Sequence, residues 1–385
     1  MKITRLFALF FESKKASGLV LVTCTIVSLF LANSRWSDAY LHLWHTPIGS
    51  QPVEYWINDG LMAVFFLLIG LELEREVYIG ELSKIKDAVF PLAGALGGML
   101  IPALIFTLFN YNTPTSKGYG IPMATDIAFA IGILSLLGNR VPVALKVFLT
   151  ALAVIDDLGA ILMIAIFYTD SLNLFNLGIS LGIFGLLLIL NRCRVNALIW
   201  YLIGGVFMWY FMLHSGVHAT ITGVLLAFAI PFENGSPRSI SYRLQHRLHN
   251  PVAFLIIPLF ALCNTAVSID GNVFDTLIHP YSIGIIAGLV VGKPLGIFIF
   301  SWLSVKCKIT PLPEGFTWNR LLGLGMLGGI GFTMSIFITL LAFEATEIRN
   351  SCKFSIVIAS TISGFAGYVW LTYCLPKTAK NLTVE

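Results

Sequence analysis

The chain has 385 residues, of which 57% are hydrophobic and only 11% charged, and its mean hydropathy is +0.85. Because soluble globular proteins carry about 25% charged residues, the composition excludes soluble enzymes and free nucleic-acid binders and predicts an integral membrane protein. The net charge of +4 comes from loops, and the six scattered cysteines form no paired motif that would predict a disulfide framework or a cofactor site.

Twelve apolar stretches approach the length of a membrane-spanning helix, which is about 20 residues. An even number of spans places both chain ends on the same side of the membrane. Most Lys and Arg residues fall on that side, so the positive-inside rule puts both termini in the cytoplasm. We therefore predict one all-α membrane domain over residues 1–385. The predicted spans are Gly18–Asn33, Gly60–Glu72, Val89–Phe109, Ile121–Leu137, Val147–Tyr168, Leu174–Leu190, Ala197–Leu213, Val217–Pro231, Val252–Val267, Tyr281–Leu303, Leu321–Phe343 and Phe354–Leu375.

The loop between the first two predicted spans, residues 36–58, differs from the other loops. Tyr40–Trp44 alternates as a strand does, Pro47–Pro52 is typical of a turn, and Val53–Trp56 resumes the alternation. This pattern predicts a small extracytoplasmic β-hairpin. The alternative is an irregular loop that interfacial Trp and Tyr side chains hold in place.

Four charged side chains lie well inside the predicted spans, namely Asp126, Asp156, Asp157 and Lys293. Asp59 and Glu72 lie nearer helix ends, where snorkelling or capping explains them. A charge at the bilayer centre costs about 2.5–3.5 kcal/mol on insertion scales, so a functional role is the default expectation. The adjacent acids Asp156 and Asp157 cannot both be ionised cheaply in a low dielectric, and binding a proton or a small cation removes this conflict. The excess of acids favours a cation as substrate. The alternative is a structural pair satisfied by hydroxyl groups.

Two predicted spans contain segments that interrupt a helix. In the fourth span, Pro122 removes a backbone donor, and Thr125 and Asp126 supply polar groups suited to the positive end of a half-helix. In the eleventh span, the glycines between Gly323 and Gly331 weaken helix continuity, although close helix packing would use the same glycines. The two segments occupy matching places in spans 3–5 and 10–12, which predicts inverted repeats and a site at the membrane midplane.

Charged residues after the second span are expected to face a histidine-containing segment before the ninth span. Histidine titrates nearest physiological pH, so acids that face histidines at the cytoplasmic mouth are candidates for pH sensing or for attracting cations. The alternative is a solvated, charged loop. The residues concerned are Glu72, Glu74, Arg75, Glu76 and Glu81 on one side and Arg243, His246, Arg247 and His249 on the other.

Six stretches in order resemble the NhaA-type sodium/proton antiporter family over nearly the whole chain. The resemblance implies twelve helices in a bacterial inner membrane, with the fourth and eleventh discontinuous and crossing. It also implies a cofactor-free, electrogenic exporter of sodium or lithium in exchange for protons that is activated at alkaline pH. The six stretches are Ile57–Glu72, Ala124–Ala130, Ala153–Ala160, Ser215–Thr220, Gly292–Gly296 and Gly329–Phe337.

The same resemblance assigns roles residue by residue. It implies that Asp156 and Asp157 bind the cation or the protons, with Asp157 the more direct ligand. Lys293 is then the base that pairs with Asp156 when sodium is absent. Asp126 and Thr125 would balance the half-helix dipoles at the crossing. The hairpin after the first helix would form the contact of a homodimer.

The cytoplasmic cluster matches the family's pH-sensing pattern in part. The chain departs from that pattern at three positions. The family pattern has a lysine where this chain has Tyr242, an acid where it has Gln245, and a basic residue where it has Glu74. These departures concern the pH range of activation and leave the transport chemistry unchanged. The matching residues are Glu72, Arg75, Glu76, His246 and His249.

Three other classes compete with an antiporter. An intramembrane aspartyl protease places its two acids on different helices, one of them within Gly-x-Gly-Asp, a tetrapeptide that this sequence lacks. A retinal photoreceptor is suggested by the lone Lys293, but twelve predicted spans and Pro294 directly after the lysine argue against it. A passive cation channel is the closest rival in chemistry, and its flux would not depend on a pH gradient.

Overall fold

The computed structural model describes residues 14–169, 172–267 and 273–376, which are mostly helical. The two chain ends, which the charge pattern assigns to the cytoplasm, lie outside the described residues. The described chain divides into two compact units. The first contains residues 14–19, 85–156 and 273–376, and the second contains 20–84, 157–169 and 172–267.

The elements follow the order of the predicted apolar stretches. Short 3₁₀ turns at Glu81–Ser83, Gly138–Arg140 and Glu233–Gly235 connect some of them. The main elements are α1 (Lys14–Ala32), α2 (Ser37–His45), β1 (Pro47–Ile48), β2 (Gln51–Pro52), α3 (Val53–Tyr78, π-helical over Trp56–Leu61), α4 (Ile85–Phe109), a 3₁₀ helix (Ser116–Met123), α5 (Ile127–Leu136), α6 (Val143–Phe167), α7 (Leu174–Arg192), α8 (Leu198–Leu213), α9 (Ile221–Ala229), α10 (Ile240–Asn264, π-helical over Val252–Ile256), α11 (Val273–Ile278), α12 (Pro280–Lys306, π-helical over Gly288–Gly292), α13 (Trp318–Gly328), α14 (Phe332–Ala342) and α15 (Thr346–Cys374).

Judged by length and composition alone, the described residues contain fewer membrane-spanning helices than the sequence predicts. Eight helical segments are long and apolar enough to cross a membrane, and one of them, Ser116–Leu136, contains the non-helical residues 124–126. The bent pairs α1/α2 and α13/α14 raise this number to at most ten. Of the remaining apolar helices, α8 is shorter and α9 has only nine residues. The count of twelve and the inverted repeats therefore stay predictions.

The loop after α1 contains a smaller hairpin than the sequence predicts. β1 and β2 are antiparallel strands of two residues each. Pro47 lies opposite Pro52, and Ile48 lies opposite Gln51. The hairpin therefore covers only the predicted turn.

The strand predicted over Tyr40–Trp44 is wrong, because this stretch belongs to α2. Residues four apart share one face of a helix, and the Tyr40 and Trp44 rings accordingly pack edge to face with centroids 5.6 Å apart. The Tyr40 hydroxyl also donates to the carbonyl of Leu262 at 2.9 Å. These side-chain contacts favour a helix over the alternating strand pattern.

In the first unit, α4 packs directly against α12. Gly97 and Gly296 make this possible, because a Cβ atom at either position would lie 2.1 Å from the carbonyl oxygen of the other. The two backbones are therefore in contact at this level of the unit. This close approach fixes the position of α12, which carries the buried Lys293.

In the second unit, α3 packs against α9 and, through its later turns, against α10. The core around them is apolar and includes Leu67, Leu71 and Leu226. The π-helical part of α3 meets the end of α10, where the Asn264 amide donates to the Asn58 side-chain oxygen at 2.7 Å. This unit carries the predicted pH-sensing residues.

Candidate functional site

The first helix interruption lies between the 3₁₀ helix and α5. Pro122 has no N–H to donate, and the backbone then becomes extended at Ala124 and Asp126, with ψ of 154° and 101°. Asp126 begins α5 as its N-cap, accepting a hydrogen bond from the Phe129 N–H at 2.9 Å. The interruption predicted in the fourth apolar stretch is confirmed.

The second interruption separates α13 from α14, whose axes differ by 47°. α13 ends at Gly328 and α14 begins at Phe332. Gly329 lies so close to α12 that a Cβ atom would be 2.3 Å from the carbonyl oxygen of Leu289. The predicted interruption is confirmed, and the glycine also serves close helix packing, the alternative interpretation.

The two interruptions bond directly to each other. Carbonyl groups at a broken helix end have no partner within their own helix and need one elsewhere. Here each interruption supplies donors to the carbonyls of the other. The contacts join the Asp126 N–H to the Ile330 carbonyl (2.6 Å), the Thr125 hydroxyl to the Gly328 carbonyl (2.8 Å) and the Ser335 hydroxyl to the Ile121 carbonyl (2.7 Å).

The Asp126 carboxylate lies at two helix N-termini at once. Oδ1 accepts from the Phe129 N–H of α5, and Oδ2 accepts from the N–H of Thr333 in α14 at 3.1 Å. The Thr333 hydroxyl also donates to Oδ2, at 2.5 Å. Helix N-termini carry positive partial charge, so a negative carboxylate between two of them is electrostatically favoured.

Lys293 and Asp156 form a salt bridge without solvent exposure. Nζ of Lys293 lies 2.6 Å from Oδ2 of Asp156, and both side chains are 0% exposed. The ammonium group also donates to the Met123 carbonyl, at the end of the 3₁₀ helix. In α12, Lys293 directly follows a π-helical turn over Gly288–Gly292. The next residue, Pro294, has no N–H to donate to the regular helix ladder.

The two oxygens of Asp156 have different surroundings. Oδ2 contacts both Lys293 and the Thr125 hydroxyl, which is 2.9 Å away. Oδ1 is buried, and no hydrogen-bond donor reaches it from the described residues. A buried acceptor without a donor costs free energy, which a bound proton or cation would recover. The next residue of α6, Asp157, is also buried, with 1% exposure.

The oxygen atoms around Asp156 are those that a small hard cation prefers. They belong to its own carboxylate and to the hydroxyl of Thr125. Within the described parts of the chain, no three His, Cys, Asp or Glu side chains converge in a group that could hold a metal ion. The arrangement is suited to a carboxylate that exchanges partners.

Sequence reasoning found the charged residues but missed three groups of this network. The structure connects Thr125, Asp126, Asp156 and Lys293 through hydrogen bonds and one peptide link, and it adds the Thr333 hydroxyl and the carbonyls of Met123 and Gly328 as partners of their side chains. The signal for Thr333 was its place shortly after the glycine interruption, within a stretch already singled out. A backbone carbonyl has no signal in the sequence.

In the second unit, predicted pH-sensing residues of α3 lie against α10. Oε1 of Glu72 is 3.8 Å from Nδ1 of His249. The Arg75 guanidinium lies over the Tyr242 ring, 5.6 Å from its centroid, in the geometry of a cation–π contact. The ring of His246 stacks on the same tyrosine. The structure therefore brings acids and histidines together at this junction.

Glu74 differs from its neighbours in α3 because it is buried, with 4% exposure. Its Oε2 atom accepts a hydrogen bond from the Ser241 hydroxyl at 3.3 Å. A solvated, charged loop is therefore the wrong interpretation for this acid. The interpretation as a solvated, charged surface fits His246 and His249 better, because both side chains are exposed.

The chain from residue 8 to residue 371 matches the model of the protein family described as Na+/H+ antiporter 1. The chain belongs to this NhaA family of Na+/H+ antiporters. The named NhaA relatives are transporters rather than enzymes, so the family also argues against the intramembrane protease considered above.

Individual NhaA relatives are similar over nearly their whole length. The Na+/H+ antiporter NhaA of Flavobacterium psychrophilum is 65% identical, covering 98% of this chain and 98% of the relative. That of Cytophaga hutchinsonii is 55% identical over 100% of both chains. That of Escherichia coli is 47% identical, covering 94% of this chain and 96% of the relative.

The fold is also similar to a solved structure. The sodium proton antiporter MjNhaP1 from Methanocaldococcus jannaschii matches with a TM-score of 0.55, over 96% of this chain and 100% of that chain. The sequence identity is 15%, so this likeness concerns the fold alone.

Proposed function

We propose that this NhaA family member exports Na+ or Li+ from the cytoplasm across a bacterial inner membrane in electrogenic exchange for entering protons. The observation that carries the proposal is the buried ion pair of Lys293 and Asp156. Oδ1 of Asp156, the oxygen that does not face Lys293, accepts no hydrogen bond from the described residues. Such a carboxylate gains from binding either a proton or a cation. The family membership supports sodium and protons as the two substrates.

The exchange follows from competition between protons and a cation for the same carboxylates. Asp156 and Asp157 are the binding groups, with Asp157 the more direct ligand of the cation. When a cation binds, Asp156 no longer needs Lys293, whose ammonium group keeps the Met123 carbonyl as an acceptor. An empty, deprotonated site leaves an uncompensated charge in a low dielectric. The protein therefore changes its accessible side with the site either protonated or loaded.

Asp126 and Thr125 support this site without binding the cation as primary ligands. The negative Asp126 faces the N-termini of α5 and α14, and the positive Lys293 faces a carbonyl at the end of the 3₁₀ helix. These opposite charges compensate the ends of the interrupted helices. The compensation keeps interrupted helices stable in a membrane, where water supplies no alternative partner.

Exchange is activated at alkaline pH through the junction of α3 and α10. The junction contains Glu72 and His249 at 3.8 Å and the stack of Arg75, Tyr242 and His246. Glu76, which also belongs to α3, is half-buried. Protonation of the histidines changes the charge balance against these acids, which makes the packing of the two helices sensitive to cytoplasmic pH.

The assembly is a homodimer in the lipid bilayer with both termini in the cytoplasm. The dimer contact is the periplasmic segment 36–58, where Trp36 and Ile48 are 59% and 58% exposed. Exposed apolar side chains on such a segment suit a contact with a second copy. The excess of basic residues in the loops on the terminal side supports the orientation.

The experiment is sodium-driven proton flux in proteoliposomes of the purified protein, measured at several pH values and with the membrane potential clamped or free. Proton movement that needs sodium or lithium, and depends on the potential, is the expected result. Asp157→Asn should abolish it, whereas Glu314→Gln, which changes an exposed acid between α12 and α13, should leave it unchanged. Full activity of Asp157→Asn would refute the site. Sodium flux without proton movement would favour a passive channel.

A further inference from the structure

Thr333 contacts Asp126 through two donors, and the exchange mechanism above gives it no role. Its N–H lies 3.1 Å and its hydroxyl 2.5 Å from Oδ2 of Asp126. Both side chains are buried, with exposures of 4% and 2%. A hydroxyl at this distance from a carboxylate makes a charge-assisted hydrogen bond, roughly twice as strong as a neutral one.

A third bond runs in the opposite direction. The N–H of Asp126 donates to the carbonyl of Ile330 at 2.6 Å, while Thr333 donates to the Asp126 side chain. Asp126 and the stretch 330–333 are thus joined by donors from both partners. This arrangement fixes the extended residues 124–126, which connect the 3₁₀ helix to α5.

Thr125, in the middle of these extended residues, is the link to the ion pair. Its hydroxyl lies 2.9 Å from Oδ2 of Asp156, the oxygen that also accepts from Lys293. A displacement of residues 124–126 would therefore change the hydrogen bonding of Asp156. The path from Thr333 to Asp156 consists of two hydrogen bonds and one peptide link.

We propose that Thr333 is a positioning residue for cation exchange, which acts on Asp156 through Asp126 and Thr125. This inference rests on the proposed function. The Thr333 hydroxyl holds the Asp126 carboxylate at the N-terminus of α14, and the carboxylate in turn holds Thr125 within reach of Asp156. Without the hydroxyl, Asp126 keeps only backbone donors among the contacts described, and residues 124–126 are free to shift.

The test is a series at position 333 in proteoliposomes, with the apparent KM for sodium and the maximal rate measured separately. Thr333→Val keeps the shape and the backbone N–H but removes the hydroxyl, and we expect its KM to rise about tenfold or more, as suits a lost hydrogen bond to a charged group. Thr333→Ser restores the hydroxyl and should return KM to near the wild-type value. In an Asp126→Asn background, Thr333→Val should add little, because the charge is already gone.

The matched control is Thr339→Val, also in α14. Thr339 is 0% exposed and its hydroxyl donates to the Ser335 carbonyl of its own helix, so its loss should leave the KM unchanged. Equal KM values for folded Thr333→Val and Thr339→Val would overturn the inference. If Thr333→Val does not assemble, Thr333→Cys replaces it, since a thiol is a weaker donor; a KM equal to that of Thr333→Ser would then overturn the inference. Absence of exchange by the wild-type protein would instead refute the proposed function.

Discussion

The ammonium group of Lys293 lies 2.6 Å from the Asp156 carboxylate, and neither side chain is exposed to solvent. Removing one member of a buried ion pair strands the other charge, which costs about 3–5 kcal/mol. Removing both members leaves no stranded charge. The effects of the two residues on stability are therefore not independent of each other.

We accordingly expect Asp156→Asn and Lys293→Gln each to lower the melting temperature in detergent, and the double variant to recover most of the loss. The measurement is thermal unfolding of the wild-type protein and the three variants in the same buffer. Losses that simply add in the double variant would contradict the prediction, because additivity indicates sites that do not interact.

A second prediction concerns the interruption between α13 and α14. Gly329→Ala places a Cβ atom 2.3 Å from the Leu289 carbonyl oxygen, so either α12 or the interruption must move. We expect a lower melting temperature and a strongly reduced rate of exchange. Gly178→Ala in α7 is the control: a Cβ atom there meets nothing within 4 Å, and alanine favours a helix by about 1 kcal/mol. A Gly329→Ala variant as active and stable as Gly178→Ala would show that the interruption tolerates a side chain.

Much of the site could be predicted from the sequence because charges and helix breakers stand out in apolar stretches. Asp126, Asp156 and Lys293 are conspicuous against their neighbours, and Pro122 marks an interruption through its missing N–H. The pairing of Lys293 with Asp156 rather than Asp126 depends on distances that spacing does not contain. The Met123 and Gly328 carbonyls depend on backbone geometry alone.

The sequence was misleading where local pattern and packing disagree. Tyr40–Trp44 alternates like a strand, but the contact between its two end residues, four positions apart, requires a helix. Glu74 resembles its charged neighbours in sequence, yet it lies inside the second unit against Ser241. Such differences arise from tertiary contacts, which a periodicity cannot show.

The third prediction concerns the pH profile, and it tests the departures of this chain from its family. Tyr242→Lys adds a positive charge one turn from His246, at the junction with the acids of α3, and should shift the pH midpoint of exchange downwards. Gln245→Glu adds a negative charge one turn from His249 and should shift it upwards. Charge pairs one helix turn apart are worth about 0.3–0.5 kcal/mol, so each shift should be about 0.2–0.4 pH units. The control is Arg243→Lys, which conserves charge on the same helix and should leave the pH profile unchanged. If Tyr242→Lys and Gln245→Glu shifted the midpoint in the same direction, the prediction would be contradicted.

The fourth prediction concerns Glu74. Its carboxylate is buried with a hydroxyl donor from Ser241, and an isosteric amide avoids the cost of burying a charge. We expect Glu74→Gln to raise the melting temperature at alkaline pH by about 1 °C for each kcal/mol gained, because the entropy of unfolding grows with chain length. Glu72→Gln, which gives up the contact with His249 at the half-buried edge, should not raise it. A fall in the melting temperature of Glu74→Gln would indicate that the ionised carboxylate has a stabilising partner.

The hydroxyl of Thr125 has a single hydrogen but two oxygen neighbours at bonding distance, Oδ2 of Asp156 and the carbonyl of Gly328. Only one of the two can receive that hydrogen at a given moment. An ionised carboxylate is the stronger acceptor, so the last carbonyl of α13 is left without it whenever Asp156 is negative. Once Asp156 is neutralised, the hydrogen can turn to the carbonyl. The orientation of one O–H bond thus reports the occupancy of the carboxylate to the end of a neighbouring helix.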